Sequence, residues 1–576
     1  MSVVSLLQYY GKKKFSSRST SPPRLSGGFS PTFFPPIKKV AIIGAGVGGL
    51  IAYRELSQAG FDVHVYERDH APGGNWHYTE EIPLDAPVPN ADISVGDYSP
   101  SLPPEGVKLP YVQEYEGEEA RYLRRAHRAP KPVWATLKSN AAAPVQQIRE
   151  FPWPKGAPWE LPHQLLQRYL RAFASWHGVN NNDNNARISY NTRVELAEQR
   201  FNEDGSRQGW TLTLKNVVPT AENISKATWT KESYDAVVVA TGRYNAPNIP
   251  DIEGLKEWAE RYPGSISHSR QYRHPQPFTN KSVLIVGAAT SGGEISREIN
   301  PYVRKIYQSI RPDKATVPHF ALKNFLSRLP HNTTVVPEIK KFHSAGSSSE
   351  GRIELVNGTI LTGIEHVIFG TGFRYTFPFL PQYHNSKIGL NETVPRDETQ
   401  PIVTDGTHVR SLYLDLFYIQ DPSLGFLNLN FGMQSFIYAE FLSLALAKVW
   451  SNKAELPSQS EIWRRYDDTV KARKGYGRNF QFLGAERTRE ALRFFQGWLN
   501  DAAARFGGRQ IDGLPRELDE IQRVWTTARF GNPIFSANAL NDFNESSSNE
   551  VRHLNQIVSE DECQDFIEDL VFNDYY

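Results

Sequence analysis

The chain of 576 residues contains one cysteine, Cys563. A single thiol cannot form an internal disulfide, a CxxC redox pair or a multi-cysteine zinc site. It suits a reducing compartment. Net charge is also nearly absent. Sixty-four basic and 63 acidic residues leave +1, so no global field recruits nucleic acid or an anionic membrane. Long apolar runs are missing too. The most apolar stretch, Phe426 to Trp450, is broken by Asn428, Asn430, Gln434 and Glu440. A membrane span needs about 20 mostly apolar residues, so this stretch reads as a buried core helix. There is no HExxH, no GxSxG and no clustered His/Asp ligand set, and no metal site is expected. The first 36 residues lack any acid or alanine and carry Lys12, Lys13, Lys14, Arg18 and Arg24 among Ser, Pro and Gly. Such a segment makes a poor amphipathic helix. Residues 1–37 are expected to be a disordered extension rather than a transit peptide, and the protein to be cytoplasmic, with mitochondrial targeting left open.

What the chain does have is two glycine loops. Val40–Ile43 reads as a buried parallel strand, Leu50–Gln58 as a helix and Asp62–Tyr66 as a second strand. Between the first strand and the helix stands Gly44-Ala-Gly46-Val-Gly-Gly49, a GxGxxG. The first glycine permits a tight turn, the second lets the backbone approach a pyrophosphate, and the third lets helix and strand pack closely. The helix N-terminus then offers unpaired N–H groups to the phosphate. Glu67 ends the second strand 23 residues after Gly44. An acid there accepts hydrogen bonds from a ribose diol. Pro72-Gly73-Gly74-Asn75-Trp76 follows, with Gly74 passing close to a cofactor and Trp76 either near its rings or in the core.

The second loop reads Gly287-Ala-Ala289-Thr-Ser291-Gly292, between a strand at Ser282–Val286 and a helix at Gly292–Ile299. Ala289 takes the middle glycine's place. The next strand, Arg304–Gln308, leads into Ser309-Ile310-Arg311, with no acid where the first unit has Glu67. An acid there would repel a ribose 2′-phosphate, and an arginine would pair with it. Arg311, helped by Lys314, therefore points to NADPH at the second loop, and Glu67 to FAD at the first. Such a pair implies hydride transfer from nicotinamide to flavin. With only Cys563 present, an internal redox disulfide cannot be the electron acceptor. An organic molecule or oxygen remains.

Further motifs sharpen this reading. Tyr262-Pro-Gly264-Ser-Ile-Ser-His268-Ser-Arg-Gln-Tyr272 resembles FxGxxxHxxxY, the fingerprint of the flavin-containing monooxygenases, with tyrosine leading. Ala240-Thr241-Gly242 and Gly370-Thr371-Gly372-Phe373 resemble that family's two strand-ending ATG elements, the second with glycine for alanine and phenylalanine for tyrosine. Gly73-Gly74-Asn75-Trp76 resembles its GGxW. The similarity runs from about Lys38 to about Trp498 and is nearest to fungal soluble members. It implies an α/β fold of two Rossmann-like dinucleotide-binding domains, the FAD domain being interrupted by a smaller NADPH domain. The boundaries expected are 38–246 and 364–540 for FAD, 247–363 for NADPH, and a polar tail at 541–576.

The resemblance also implies oxygenation of a nitrogen or sulfur atom of a small molecule by O2 through a flavin hydroperoxide. Leu137-Lys-Ser-Asn140 resembles a stretch whose asparagine lies beside the reactive flavin edge, which gives Asn140 the catalytic position; Ala141-Ala142-Ala143 then departs from the pattern. Tyr272 stands where Baeyer–Villiger members usually have tryptophan. His268 is expected to organise the linker and not to act as acid or base. The helix beginning near Gln434, after Gly432, would face the flavin pyrimidine with its positive end. A Baeyer–Villiger enzyme, a peroxide-releasing NADPH oxidase and a non-catalytic nucleotide-binding regulator remain as alternatives. Homo-oligomerisation and the substrate stay open.

Overall fold

The computed structural model describes residues 36–311, 329–344 and 351–514, together with Leu518 and Ile521. Residues 1–35 of the N-terminal extension, Lys314, residues 345–350, the polar tail and Cys563 lie outside these residues.

The first glycine loop springs from the centre of a seven-stranded sheet. Its strand order is Leu412–Tyr413, Phe417–Tyr418, Leu424–Phe426, Ala236–Val239, Lys39–Ile43, Asp62–Tyr66 and Ile188–Ser189. The last five strands run parallel, with Ile43 paired to both Val239 and Tyr66. Val40 to Ile43 are buried on both faces, which is why they form a continuous apolar run. Asp235 fixes the start of the central strand: one carboxylate oxygen accepts the N–H groups of Lys38 and Lys39, each at 2.8 Å.

One face of this sheet is covered by helix Val47–Gln58 packed on helix Ser435–Trp450. The latter is buried from Phe436 to Trp450 without interruption. It is the C-terminal part of the apolar stretch noted above, whose first residue, Phe426, ends a strand; the helix's burial all round makes it a core helix. Among the described residues no helix is long and apolar enough to cross a membrane. Two further helices, Gln459–Ala472 and Gly484–Phe506, bring Ile462, Trp463, Tyr466, Leu492, Phe495 and Leu499 into the same core. The C-terminal region therefore caps the first unit.

The second glycine loop rises from a five-stranded, wholly parallel sheet ordered Ile266–His268, His366–Phe369, Ser282–Val286, Lys305–Ser309 and Thr334–Val336. Strand His366–Phe369 pairs directly with the loop-bearing strand, Val286 opposite Phe369. The expected boundary at 363 thus falls before an inner strand of this sheet, whose apolar Val367–Phe369 can be buried only between its two neighbours.

A four-stranded antiparallel sheet, ordered Tyr111–Glu116, Ile224–Tyr234, Arg207–Ala221 and Thr192–Phe201, is inserted into the first unit. The sequence pointed only to Trp210–Leu214 within it. In strand Ile224–Tyr234 the buried side chains before Tyr234 are Ser225, Ala227 and Trp229, and its neighbour buries Thr213 and Lys215. Small and polar residues on the inner face hide the period-two signal.

Candidate functional site

The two parallel sheets direct their glycine loops into one cavity of about 2280 Å³. Sites for a single small molecule are roughly 300–1,000 Å³, so this space suits two dinucleotides and a substrate. Of the residues singled out in the sequence, Gly44, Gly46, Glu67, Gly74, Trp76, Asn140, Thr241, Gly242, Gly287, Ser291, Arg311, Thr371, Gly372 and Gln434 all line it. Gly49 and Gly292 do not. They lie behind the loops, where a Cβ would come within 1.9 Å of the Gly44 carbonyl oxygen and within 2.0 Å of the Gly287 carbonyl oxygen, respectively. The turn glycines Gly44 and Gly287 adopt φ of +106° and +96°. Gly46 differs. Its φ of −77° and ψ of −174° are open to any residue, and Ala289 has nearly the same angles. What Gly46 leaves free is space over the helix N-terminus, beside Gly74. The absent side chain there and the uncapped helix end fit a pyrophosphate, as FAD would supply.

Glu67 is buried, and its carboxylate accepts the N–H groups of Ala45 at 2.7 Å and Asp69 at 2.9 Å. These bonds hold the acid against the loop. In the second unit, Val286 pairs with Ser309 as Ile43 pairs with Tyr66, so Ile310 takes the place of Glu67. Arg311 follows, half-exposed, with its Nε 2.5 Å from a Glu338 carboxylate oxygen.

The strand-ending elements knit the two units together. The Asn248 N–H donates to the Gly372 carbonyl at 2.9 Å, and the Asn248 amide donates to the Thr371 carbonyl at 3.2 Å. The Thr371 hydroxyl returns a bond to the Asn248 carbonyl. A Cβ on Gly370 would stand 3.1 Å from the Gly292 Cα, which accounts for glycine in place of alanine there.

His268 is fully buried and outside the cavity lining. Its Nε2 lies 2.9 Å from the Gly372 carbonyl, while Nδ1 accepts the Arg270 N–H at 3.2 Å. Burial and the nearby Arg270 push its pKa down to about 3, so it stays neutral. Tyr272 is buried too. Its hydroxyl donates at 2.8 Å to Glu298, which also accepts the Trp134 indole N–H at 2.9 Å and the Thr136 hydroxyl. Glu298, Trp134 and Thr136 line the cavity, so Tyr272 reaches it through a carboxylate. Glu298 was not singled out in the sequence: it lies in the helix that follows the second glycine loop, about two turns beyond the motif residues.

Asn140 sits on the short strand Lys138–Ala142 with its side chain exposed at the cavity. Gln434 is the residue before helix Ser435–Trp450 and makes no capping bond, leaving that helix end open to the cavity. Trp76 is half-buried, with one side on the core and the other at the cavity. Asp97 and Tyr98 reach the lining from the loop that precedes strand Tyr111–Glu116 and helix Gly117–Arg128. Lys474, Arg478 and Arg487 arrive from the C-terminal cap.

Asp69, His70 and His77 bring three ligand-type atoms within 4.8 Å of one another. Asp69 here belongs to an ion-pair network. Asp69 already accepts Arg128 Nε at 3.0 Å, with Lys131 Nζ at 4.0 Å. Burial would raise its pKa, yet the bond to His70 and the charges of Lys131, His77 and Arg128 hold it well below the usual carboxylate range.

Two dinucleotide loops, one with a ribose-type acid and one without, facing a shared cavity, define a flavoprotein that is reduced by a pyridine nucleotide. Comparison with known proteins narrows the class. Residues 121–319 match the flavin-binding monooxygenase-like family, and residues 42–96 match an NAD(P)-binding Rossmann-like domain. The chain is 56% identical over 489 residues to the flavin-containing monooxygenase iboF of Amanita muscaria, covering 83% of this chain and 91% of that one. It is 31% identical over 470 residues to the flavin-containing monooxygenase ustF2 of Aspergillus flavus, covering 78% and 90%. Among solved structures, the S-allyl-L-cysteine S-oxygenase of Allium sativum shares the fold, with a TM-score of 0.60 at 20% identity over 89% of this chain and 99% of that one. The protein belongs to the flavin-containing monooxygenases, oxidoreductases that use FAD and NADPH.

Proposed function

We propose that the protein oxygenates a soft nucleophilic nitrogen or sulfur atom of a small molecule. Overall, NADPH, H⁺, O2 and substrate become NADP⁺, water and the mono-oxygenated product. Bound flavin supplies the two-electron step from NADPH and the activation of O2. The observation that carries the reading is the placing of both dinucleotide loops and Asn140 around one cavity. The chain's own part is to bind and orient. The Gly44–Gly49 loop and Glu67 would hold FAD. The Gly287–Gly292 loop and Arg311 would hold NADPH. Thr241, Gly242, Thr371 and Gly372 close the space between them. Asn140 offers a neutral amide donor where activated oxygen must be kept from water. The open helix end at Gln434 favours negative charge on a group beside it.

Product analysis with a thioether, a tertiary amine and a cyclic ketone tests this. Sulfoxide or N-oxide, with little peroxide per NADPH, is the expected result. An ester or lactone from the ketone alone would move the enzyme to Baeyer–Villiger chemistry. One peroxide per NADPH with no oxygenated product would make it an oxidase.

A further inference from the structure

The cations around the cavity are mostly neutralised within the protein. Arg68 meets Asp97 at 2.9 Å, Lys138 meets Glu160 at 2.9 Å, Arg193 meets Glu195 at 2.9 Å, and Arg311 meets Glu338 at 2.5 Å. Arg243, directly after the Ala240-Thr241-Gly242 element, makes no ion pair among the described residues; Arg374, Lys474, Arg478 and Arg487 on the same lining make none either, but Arg243 is packed against aromatic groups. Its side chain hydrogen-bonds the hydroxyls of Tyr244 and Tyr375. Burial works against its charge, and Tyr244 and Tyr375 are the side chains that favour it. Its guanidinium carbon lies 4.4 Å from the Tyr244 ring centroid and 4.4 Å from that of Phe431. Arg243, Tyr244, Tyr375 and Phe431 all line the cavity.

A guanidinium held between two rings is fixed in plane, and its charge is poorly screened there. Such a group presents a fork of N–H donors suited to a planar carboxylate. Phe431 lies three residues before Gln434, at the open helix end, so the fork is on the side of the cavity where that helix begins. Each dinucleotide phosphate already has a glycine loop and a helix N-terminus of its own.

We propose that Arg243 binds a carboxylate of the substrate, so that the preferred substrates are small amino acids or other carboxylic acids bearing the oxidisable nitrogen or sulfur. This rests on the soft-nucleophile reading above. The shared chemistry is an oxyanion, and a cofactor phosphate is the competing source.

The holoenzyme with NADP⁺ bound would be titrated calorimetrically with a series of methylthio-alkanoic acids of two to six carbons and with their methyl esters. The acids should bind about tenfold or more tightly than the esters. Arg243→Gln should erase the difference, and Arg243→Lys should restore part of it. Equal binding of acids and esters by the unaltered enzyme, or binding of neither, overturns the proposal. So does Arg243→Gln protein that loses FAD or shows a raised KM for NADPH while still favouring the acids, because Arg243 would then hold a cofactor phosphate. If the acids bind preferentially but no sulfoxide or N-oxide forms from any substrate, Arg243 keeps its role and the soft-nucleophile reading fails.

Discussion

Gly46 and Gly49 belong to one motif but are required for different reasons, and a pair of alanine substitutions separates them. A Cβ at position 49 would sit 1.9 Å from the Gly44 carbonyl oxygen, whereas ordinary contact begins near 3.4 Å. Helix and strand would have to part by about 1.5 Å, the difference between those distances. Neither side yields easily. The obstacle is backbone, and Gly44 is itself wedged against Ala240, whose oxygen lies 2.7 Å from a Cβ built on Gly44. Forcing a methyl group into a packed contact costs roughly 1–3 kcal/mol. A Cβ at position 46 would lie 3.5 Å from the Gly74 Cα, an ordinary contact, in a backbone conformation that alanine adopts freely. Gly46→Ala should therefore leave the unfolding temperature of the flavin-free protein unchanged while weakening FAD binding about tenfold or more, since the methyl fills the phosphate cradle. Gly49→Ala should lower that temperature by several degrees even without FAD. Thermal unfolding of flavin-free protein, with FAD binding followed by flavin fluorescence, reads both. Equal destabilisation by the two substitutions, or full FAD affinity in Gly46→Ala, would refute the division of roles.

Three other outcomes are expected. Arg311→Ala should raise the KM for NADPH about ten- to a hundredfold with little change for NADH, as read from the ratio of the two kcat/KM values; a parallel loss with both cofactors would remove the 2′-phosphate role. Asn140→Ala, at an exposed position on a short strand, should leave the fold intact and raise the peroxide released per NADPH severalfold; unchanged coupling would take the catalytic role from Asn140. Acid should destabilise the protein through its buried neutral histidines. Burial pushes His77, His177, His366 and His384 down to about 4 and His268 to about 3. In the unfolded chain the same groups titrate near about 6.5. Below that value the unfolded state binds more protons, so stability present above pH 6.5 is lost as pH falls toward 4. Each histidine contributes up to about 1.4 kcal/mol per pH unit in that window. The unfolding temperature should drop steeply between pH 6.5 and 4.5, and a flat profile there would show that these groups can be protonated in place.

The parts of this protein that were legible in its sequence are those where one local rule decides the outcome. Val40–Ile43 and Ser282–Ile285 are buried on both faces and lead into a turn that only glycine allows, so strand, loop and helix are all marked within a dozen residues. The second loop also shows which glycine is exchangeable: Ala289 sits at a helix start with the same open angles as Gly46, whereas Gly292 has backbone 2.0 Å from its missing Cβ. Legibility ends where a residue's role depends on partners far along the chain. Glu298 matters because Trp134, 164 positions earlier, and Tyr272, 26 positions earlier, both donate to it. Arg243 stands out only once the rings of Phe431 and Tyr244 are seen packed against its guanidinium. In the sequence it is one arginine among 64 basic residues. The fingerprint tyrosine shows the same limit. Tyr272 could be read as marking a branch of the family, but it is buried and reaches the cavity through its bond to Glu298. Substituting either leaves the other buried or cavity-facing group without its bond.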